Sequence, residues 1–553
     1  MRIQLGPQAQ ILRDKGAWYA GGYATISPTR GQIYDRNGNL LAGNETVYEV
    51  GVSLDSVVNE RGMAIVVSAA LGWDSMELYN LIHKPEGDDR VYVRLADFVD
   101  AETIELLDLF ANQYLRDNPD EGDPLRGLDL LPHLQRSYPE DDLAANLLGF
   151  VNWEGQGFFG IEQRYNDLLA GEAERVWLPN NPNDVQELVD VPPGASLVLT
   201  IDRQVQMVVE DVLDEAMEKN RSQTGAIVVM DPKTGEILAM AGSPRVDLNE
   251  YWRFTDVISG TQPFNHIVSE DYEPGSVFKI LTMAAGIDAE IITPDSIFED
   301  TGIYQVGGAD IYNWNRSGWG PQTMIGCLRH SLNTCHADIA VKLGAQTFYD
   351  YMMRFGIGRS TGIDLSDEAP GRLKLPGDDD WHDSDLATNS FGQGLAVTPV
   401  QMLMSMSALA NDGQMVAPHL LRSMVYNGNQ YDIQPQIVGM PVSPETATTV
   451  TEMLAISMED EASVAMIPGY RFAGKTGTAE IPTAIGYTSR ETNTSFVGWG
   501  PAEDPQVMVY VWFEKPETSI WGSEVAAPVF REVVQKLVIL LDIPPGTVTV
   551  GGR

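Results

Sequence analysis

Cysteine is scarce in this chain: 553 residues carry only Cys327 and Cys335. If the stretch from Thr323 through Leu343 is one helix, the pair is separated by roughly 12 Å along its axis, beyond disulfide reach. Both are therefore expected to be small buried hydrophobes. Seven histidines show no His-x-x-x-His spacing and the cysteines no Cys-x-x-Cys, so no metal site is expected. Basic residues are outnumbered, 36 against 78 acidic, for a formal charge of −42. That is the opposite of a nucleic-acid footprint, and nucleic acid is excluded as a partner. So acidic a surface favours solubility and would equally suit a high-salt medium. No run of eighteen apolar residues exists and the N-terminus lacks a signal-peptide pattern, so the chain as given should not span a membrane. The greasiest stretch, Val533 to Ile543, is approached through Arg531 and Glu532 and interrupted by Gln535 and Lys536, which predicts a packed amphipathic helix.

What is present is a large apolar fraction, 43%, enough for a sizeable core and two or more domains. One stretch organises the rest: Glu273-Pro274-Gly275-Ser276-Val277-Phe278-Lys279-Ile280, a Pro-Gly turn running into an apolar helical pattern. Residues three apart share a helix face, which brings the Lys279 amine within reach of the Ser276 hydroxyl. A serine needs a base to become a nucleophile, and a lysine in a dry pocket can be made basic enough to serve. Free N–H groups at the helix start suit a developing oxyanion. Ser331-Leu332-Asn333 follows 55 positions after Ser276, and Lys475-Thr476-Gly477-Thr478 follows 144 positions after Ser331.

Serine-lysine, serine-asparagine and lysine-threonine-glycine in that order form the three-part signature of penicillin-recognising serine acyltransferases. The chain resembles a class B penicillin-binding protein, a bacterial cell-wall transpeptidase. Arg30-Gly31-Gln32-Ile33-Tyr34-Asp35-Arg36-Asn37-Gly38 reads on its own as a hairpin turning at Asn37-Gly38. It is also similar to the opening signature of that family's non-catalytic pedestal.

Between these landmarks the pattern gives helices over 64–71 and 101–115, with a strand-like 90–95 between them. Gly155-Gln156-Gly157-Phe158-Phe159-Gly160 matches a dinucleotide-binding pattern. However, no carboxylate follows a second strand at the right distance, and two phenylalanines suit a phosphate cradle poorly. A linker rich in Asn and Pro, 179–194, places a domain boundary near residue 195. A second Lys-Thr-Gly, Lys233-Thr234-Gly235, lies in a Pro-initiated turn and is assigned a structural role. The aromatic stretch with Tyr304, Tyr312, Trp314 and Trp319 either lines the cleft or braces a loop. Phe391-Gly392-Gln393-Gly394 resembles another landmark of the family's catalytic domain.

The expected fold is α+β: residues 1–195 a mixed α/β pedestal of the dimerisation type, residues 196–553 a transpeptidase domain with an antiparallel sheet flanked by helices. The resemblance implies Ser276 as nucleophile, Lys279 as base, Ser331 as proton relay, Asn333 as substrate contact and Lys475 as a source of positive potential. Thr476, Gly477 and Thr478 would bind the substrate carboxylate, and no cofactor or metal is implied. The implied substrates are peptidoglycan stem peptides, the implied inhibitors β-lactams. A membrane glycosyltransferase is the implied partner, and the expected location is the outer face of a bacterial membrane, with an N-terminal anchor helix not in this chain. The competing readings are a β-lactamase or D,D-carboxypeptidase, which would use water, and a non-catalytic β-lactam sensor or scaffold.

Overall fold

The run Thr224–Met230 offers no polar position to turn toward water, so a strand made of it must be covered on both faces, and all seven residues are buried. This computed structural model describes residues 21–179, 191–258, 260, 262–458, 463–482, 487 and 491–545. Two compact units divide the chain. The first comprises Met1–Arg30, Ala42–Pro139 and Ala173–Pro193, the second Gly31–Leu41, Glu140–Glu172 and Gly194–Arg553.

In the first unit the strand Leu40–Ser53, from Ala42 onward, pairs antiparallel with Tyr92–Asp100 and with Leu128–Ser137. Helices Glu60–Leu71, Ser75–Ile82 and Ala101–Asp117 add Met63, Val67, Leu78 and Leu107 to a core shared with Val52 and Leu95. Their starts follow from capping: Asn59, Asp74 and Asp100 each accept a hydrogen bond from a first-turn N–H. The unit is mixed α/β.

The second unit is built on five strands, β1 (Thr224–Met230), β2 (Ile237–Ser243), β3 (Ala473–Glu480), β4 (Thr492–Gly500) and β5 (Val507–Glu514), ordered β2-β1-β5-β4-β3 and antiparallel throughout. One face is covered by α1 (Arg203–Asn220) and by the C-terminal helix Ala526–Leu540, whose Phe530, Val533, Val534 and Leu537 pack with Phe496 and Phe513. The C-terminal helix thus buries one stripe, as the charge interruptions predict. On the other face lie α2 (Lys279–Asp288) and helices Pro399–Ala410 and Pro444–Met458. β3 is the edge strand, with no sheet neighbour on its outer side among the described residues.

Two segments from before residue 195 are integral to this unit. Ile33–Tyr34 pairs parallel with Ser196–Leu199. Gly31 lies so close to the Ala195 carbonyl that a Cβ would meet it at 1.9 Å, so only glycine fits. The fully buried Asp35 carboxylate takes hydrogen bonds from Asn37 N, Asn39 N, Asn39 Nδ2 and Arg203 N. Burial opposes its charge, but these donors, Asn39 foremost, outweigh it and hold the carboxyl below the usual range. Arg36 reaches Glu236 at 3.1 Å. The Asn37-Gly38 turn forms as expected, with Gly38 at φ +87°.

The glycine pattern at 155–160 holds no phosphate cradle. Gly157–Phe158 pairs with Phe150–Val151, and Phe159 stacks on Phe264 at 4.4 Å inside an aromatic cluster. Gly160 is required because a Cβ there would meet the Leu147 carbonyl at 2.1 Å.

Candidate active site

Glycines bring the three motifs together. Gly275, at φ +58°, leads into a 3-10 turn, Gly275–Phe278, and a Cβ on it would meet the Thr478 carbonyl at 2.7 Å. Gly477 faces the same turn: its Cβ would meet Val277 Cγ1 at 3.0 Å and Ser495 Oγ at 2.1 Å. Behind the turn, Gly275 N donates to the Gly392 carbonyl at 3.0 Å, and a Cβ on Gly392 would meet Gly275 O at 2.3 Å. The nucleophile turn is thereby wedged between β3 and the Gly392 loop with no room for a side chain. Ser276 belongs to the 3-10 turn, and Lys279, not Ser276, opens the α-helix proper.

Lys279 is 0% exposed, and its Nζ donates to the Ser331 carbonyl at 2.7 Å and to Ser331 Oγ at 3.1 Å. Ser331 lies in a turn between α3 (Met324–Arg329) and α4 (Asn333–Leu343) with φ +51°, a left-handed conformation that costs a non-glycine residue about 1–2 kcal/mol. The Lys279 bond to the Ser331 carbonyl helps hold it. Asn333 opens α4 and donates through Nδ2 to the Tyr312 carbonyl at 2.9 Å.

That turn also corrects the expectation for the cysteines. Cys327 and Cys335 form a disulfide, with Cα atoms 6.1 Å apart. The 12 Å separation assumed one continuous helix, but the chain breaks at His330–Leu332 and doubles back, so the bridge closes around Ser331-Leu332-Asn333. Both cysteines are fully buried.

On the edge strand, Lys475 is 5% exposed and pairs in register with Val497, Thr476 with Phe496, Gly477 with Ser495 and Thr478 with Thr494. Gly477 packs against the nucleophile turn, and Lys475 Nζ lies 3.4 Å from Thr476 Oγ1. Thr478 Oγ1 accepts from Gly522 N at 3.0 Å. By contrast, Lys233 lies in the β1–β2 turn, paired with Asp504, and Gly235 is required there at φ +81° by the Ala417 carbonyl, 2.2 Å from its would-be Cβ.

The aromatic stretch braces the Ser331 turn and also borders the cleft. Trp319 stacks on His330 at 3.8 Å, Trp314 Nε1 donates to the His330 carbonyl at 3.3 Å, and Trp314 meets Trp521 edge-on at 5.5 Å, next to Gly522. Sequence reasoning did not single out His336. Three positions after Asn333, it is buried, and its Nδ1 donates to the Leu332 carbonyl at 2.7 Å. Burial, and then the nearby charges of Lys279 and Lys475, hold its imidazole well below the usual range. Its position on the motif helix, one turn past Asn333, was the only signal available.

Comparison with known proteins agrees with this geometry. Residues 225–535 match the penicillin binding protein transpeptidase domain, and residues 25–193 the penicillin-binding protein dimerisation domain. The chain is 30% identical to stage V sporulation protein D of Bacillus subtilis, covering 94% of this chain and 79% of that one. It is 28% identical to the peptidoglycan D,D-transpeptidase FtsI of Escherichia coli, over 96% of this chain and 86% of that one. Among solved structures, penicillin binding protein 3 from Mycobacterium tuberculosis, complexed with aztreonam, superposes with a TM-score of 0.72 at 25% identity, covering 95% of this chain and 98% of that one.

Proposed function

This chain belongs to the class B penicillin-binding proteins, and we propose that its peptidoglycan D,D-transpeptidation runs through Ser276. The observation that carries the assignment is the Lys279 Nζ contact with Ser331 Oγ at 3.1 Å, beside a nucleophile turn wedged against the Lys475 strand. Ser276 Oγ attacks the carbonyl between the two terminal D-alanines of a stem peptide, and Lys279 takes its proton. The backbone N–H groups of Ser276 and Thr478 receive the oxyanion, a contribution of roughly 3–4 kcal/mol per donor. Ser331 passes a proton to the leaving D-alanine amine, while Asn333 binds the substrate backbone. Lys475 supplies positive potential, and Thr476 and Thr478, with Gly477 giving close approach, bind the terminal carboxylate. An amine of a neighbouring stem peptide then attacks the acyl-enzyme, forming the crosslink. β-Lactams acylate the same serine, because their strained amide imitates the D-Ala-D-Ala bond.

On the same reading residues 1–195 are the non-catalytic pedestal and 196–553 the transpeptidase domain, with Gly31–Leu41 and Glu140–Glu172 lent to the catalytic unit. Among the described residues no helix is long and apolar enough to cross a membrane. The reading places the catalytic unit on the outer face of a bacterial membrane, working beside a membrane glycosyltransferase.

The test is intact-protein mass after incubation with benzylpenicillin, followed for hours, with Ser276→Ala as control. One long-lived adduct that vanishes in the variant is expected. Rapid drug hydrolysis would move the assignment to a β-lactamase, and neither adduct nor hydrolysis would leave a scaffold.

A further inference from the structure

Asp300 ends a short strand, Ile297–Asp300, and is 2% exposed, yet acyl transfer as described above gives it no part. Its carboxylate collects donors from separate stretches of the chain. Gly302 N reaches Oδ1 at 3.1 Å, and Asn313 Nδ2 reaches Oδ1 at 3.0 Å and Oδ2 at 2.9 Å. Trp319 N reaches Oδ2 at 2.9 Å, and Thr334 Oγ1 reaches Oδ1 at 2.8 Å. These donors are two backbone N–H groups, an amide and a hydroxyl, and none of them is a cation. Taking a carboxylate out of water with only neutral partners is costly, and an apolar side chain in its place would spare that cost. An apolar side chain could not, however, accept from several directions at once, as an ionised carboxylate does through both oxygens.

Two of those donors flank a motif. Thr334 directly follows Asn333, and Trp319 stacks its indole at 3.8 Å on His330, the residue directly before Ser331. A second connection runs through Asn313, itself 2% exposed. Its Oδ1 accepts from Thr334 N at 3.3 Å, and the carbonyl of the residue before it, Tyr312, accepts from Asn333 Nδ2 at 2.9 Å. Asp300 therefore grips Ser331-Leu332-Asn333 from both ends and also fixes the stretch against which the Asn333 amide is set. That amide turns about two side-chain bonds, so its aim depends on where the Tyr312 carbonyl is held.

We infer that Asp300 is a positioning residue for the acyl transfer: acting through Asn313 and Thr334, its carboxylate aims the Asn333 amide at the backbone amide of the substrate. Buried as it is, Asp300 does not itself meet the substrate. The role of Asn333 as the substrate contact rests on the transpeptidase reading; the hydrogen-bonded hub behind it does not.

The test compares two β-lactams on the whole chain, each followed by the rate of adduct formation by mass over a range of drug concentrations. Benzylpenicillin carries a side-chain amide where the substrate has a backbone amide, whereas 6-aminopenicillanic acid keeps the ring and the carboxylate and lacks that amide. Asp300→Asn, which sets an amide N–H₂ among the donors, should slow acylation by benzylpenicillin about 30-fold and by 6-aminopenicillanic acid less than about 3-fold. Thr334→Val keeps the carboxylate and nearly the same shape; it should show the same preference at about 5-fold, and it decides the matter where Asp300→Asn does not fold. In an Asn333→Ala background neither substitution should add more than about 2-fold. Equal slowing of the two drugs would leave Asp300 a stabilising residue only and overturn the proposal. So would parent rates in Thr334→Val, or an undiminished loss once Asn333 is removed. A parent chain that forms no benzylpenicillin adduct would remove the transpeptidase reading and the proposal with it, whereas a parent that acylates while the variants slow both drugs alike defeats the proposal alone.

Discussion

Lys-Thr-Gly occurs twice in the catalytic unit, and the two copies have little in common beyond their letters. Lys233 is carried on a tight turn, its side chain 45% exposed and paired with Asp504. Lys475 is carried on the edge strand of the sheet and shut away from water, close enough to His336 for its charge to bear on that imidazole. Each glycine is obligatory for a different reason. Gly235 needs a left-handed backbone against the Ala417 carbonyl, whereas Gly477 has an extended one and is required because the nucleophile turn presses on it. A motif therefore acquires chemistry from what its strand edge faces and from how dry its lysine is kept.

The largest expected effect is on the buried lysine. Lys475→Ala should slow benzylpenicillin acylation roughly 10²–10³-fold, read from the rate of adduct formation by mass. A smaller loss would mean that the buried copy is not the catalytic one. The glycines sharpen the contrast. Gly235→Ala should cost on the order of 3 kcal/mol of stability in denaturant melts while the surviving folded chains acylate at the parent rate. Gly477→Ala should instead slow acylation, because the methyl pushes on Val277 beside the nucleophile.

The Cys327–Cys335 bridge tests whether the Ser331 turn needs outside support. Cys327→Ser with Cys335→Ser should destabilise by about 2–3 kcal/mol and slow acylation as the left-handed turn relaxes; unchanged acylation would show that Lys279 alone holds it. Burial of charge without a role in the cleft should affect stability only, and Glu210, beside Arg245, offers the case. Burial pushes its carboxyl up to about 7 despite Arg245, above the unfolded value of 4.5. Folded chains then hold the proton more tightly than unfolded ones, so this group's contribution is full below pH 4.5 and is lost as pH rises to about 7. Glu210→Gln should flatten that decline, on the order of 2 kcal/mol between pH 5 and 8 in denaturant melts, without altering acylation. Smallest of all, Lys233→Ala should change stability by less than about 1 kcal/mol and acylation not at all.

The motif residues were legible in the sequence because their spacing within each motif is local: Ser276 with Lys279, Ser331 with Asn333, and Lys475 through Thr478. The α+β class was legible too, from apolar runs such as Thr224–Met230 and the striped C-terminal helix. What the sequence hid was non-local. A three-residue break with Ser331 at φ +51° leaves no clear mark in a helical pattern, and without it the disulfide looks impossible. His336 read as one more residue of a buried helix, since nothing local says that two lysines lie nearby. The mixed composition of Gly31–Leu41 likewise gave no sign that Asp35 would be buried against Arg203.

That lent segment has a consequence in time. Gln32 N donates to Ser196 Oγ across 164 positions, and Ile33 pairs with Leu197. At bacterial translation speeds of 5–20 residues per second, the early segment leaves the ribosome roughly 10–30 s before its partner strand exists. During that interval Ile33 and Tyr34 are an unpaired edge, and the Asp35 carboxylate lacks its bond from Arg203 N, which leaves the segment open to wrong pairings or to a chaperone. The segment Gly31–Leu41 is made with the N-terminal unit yet belongs to the catalytic one, so although synthesised early it should be among the last parts of the chain to take its final structure.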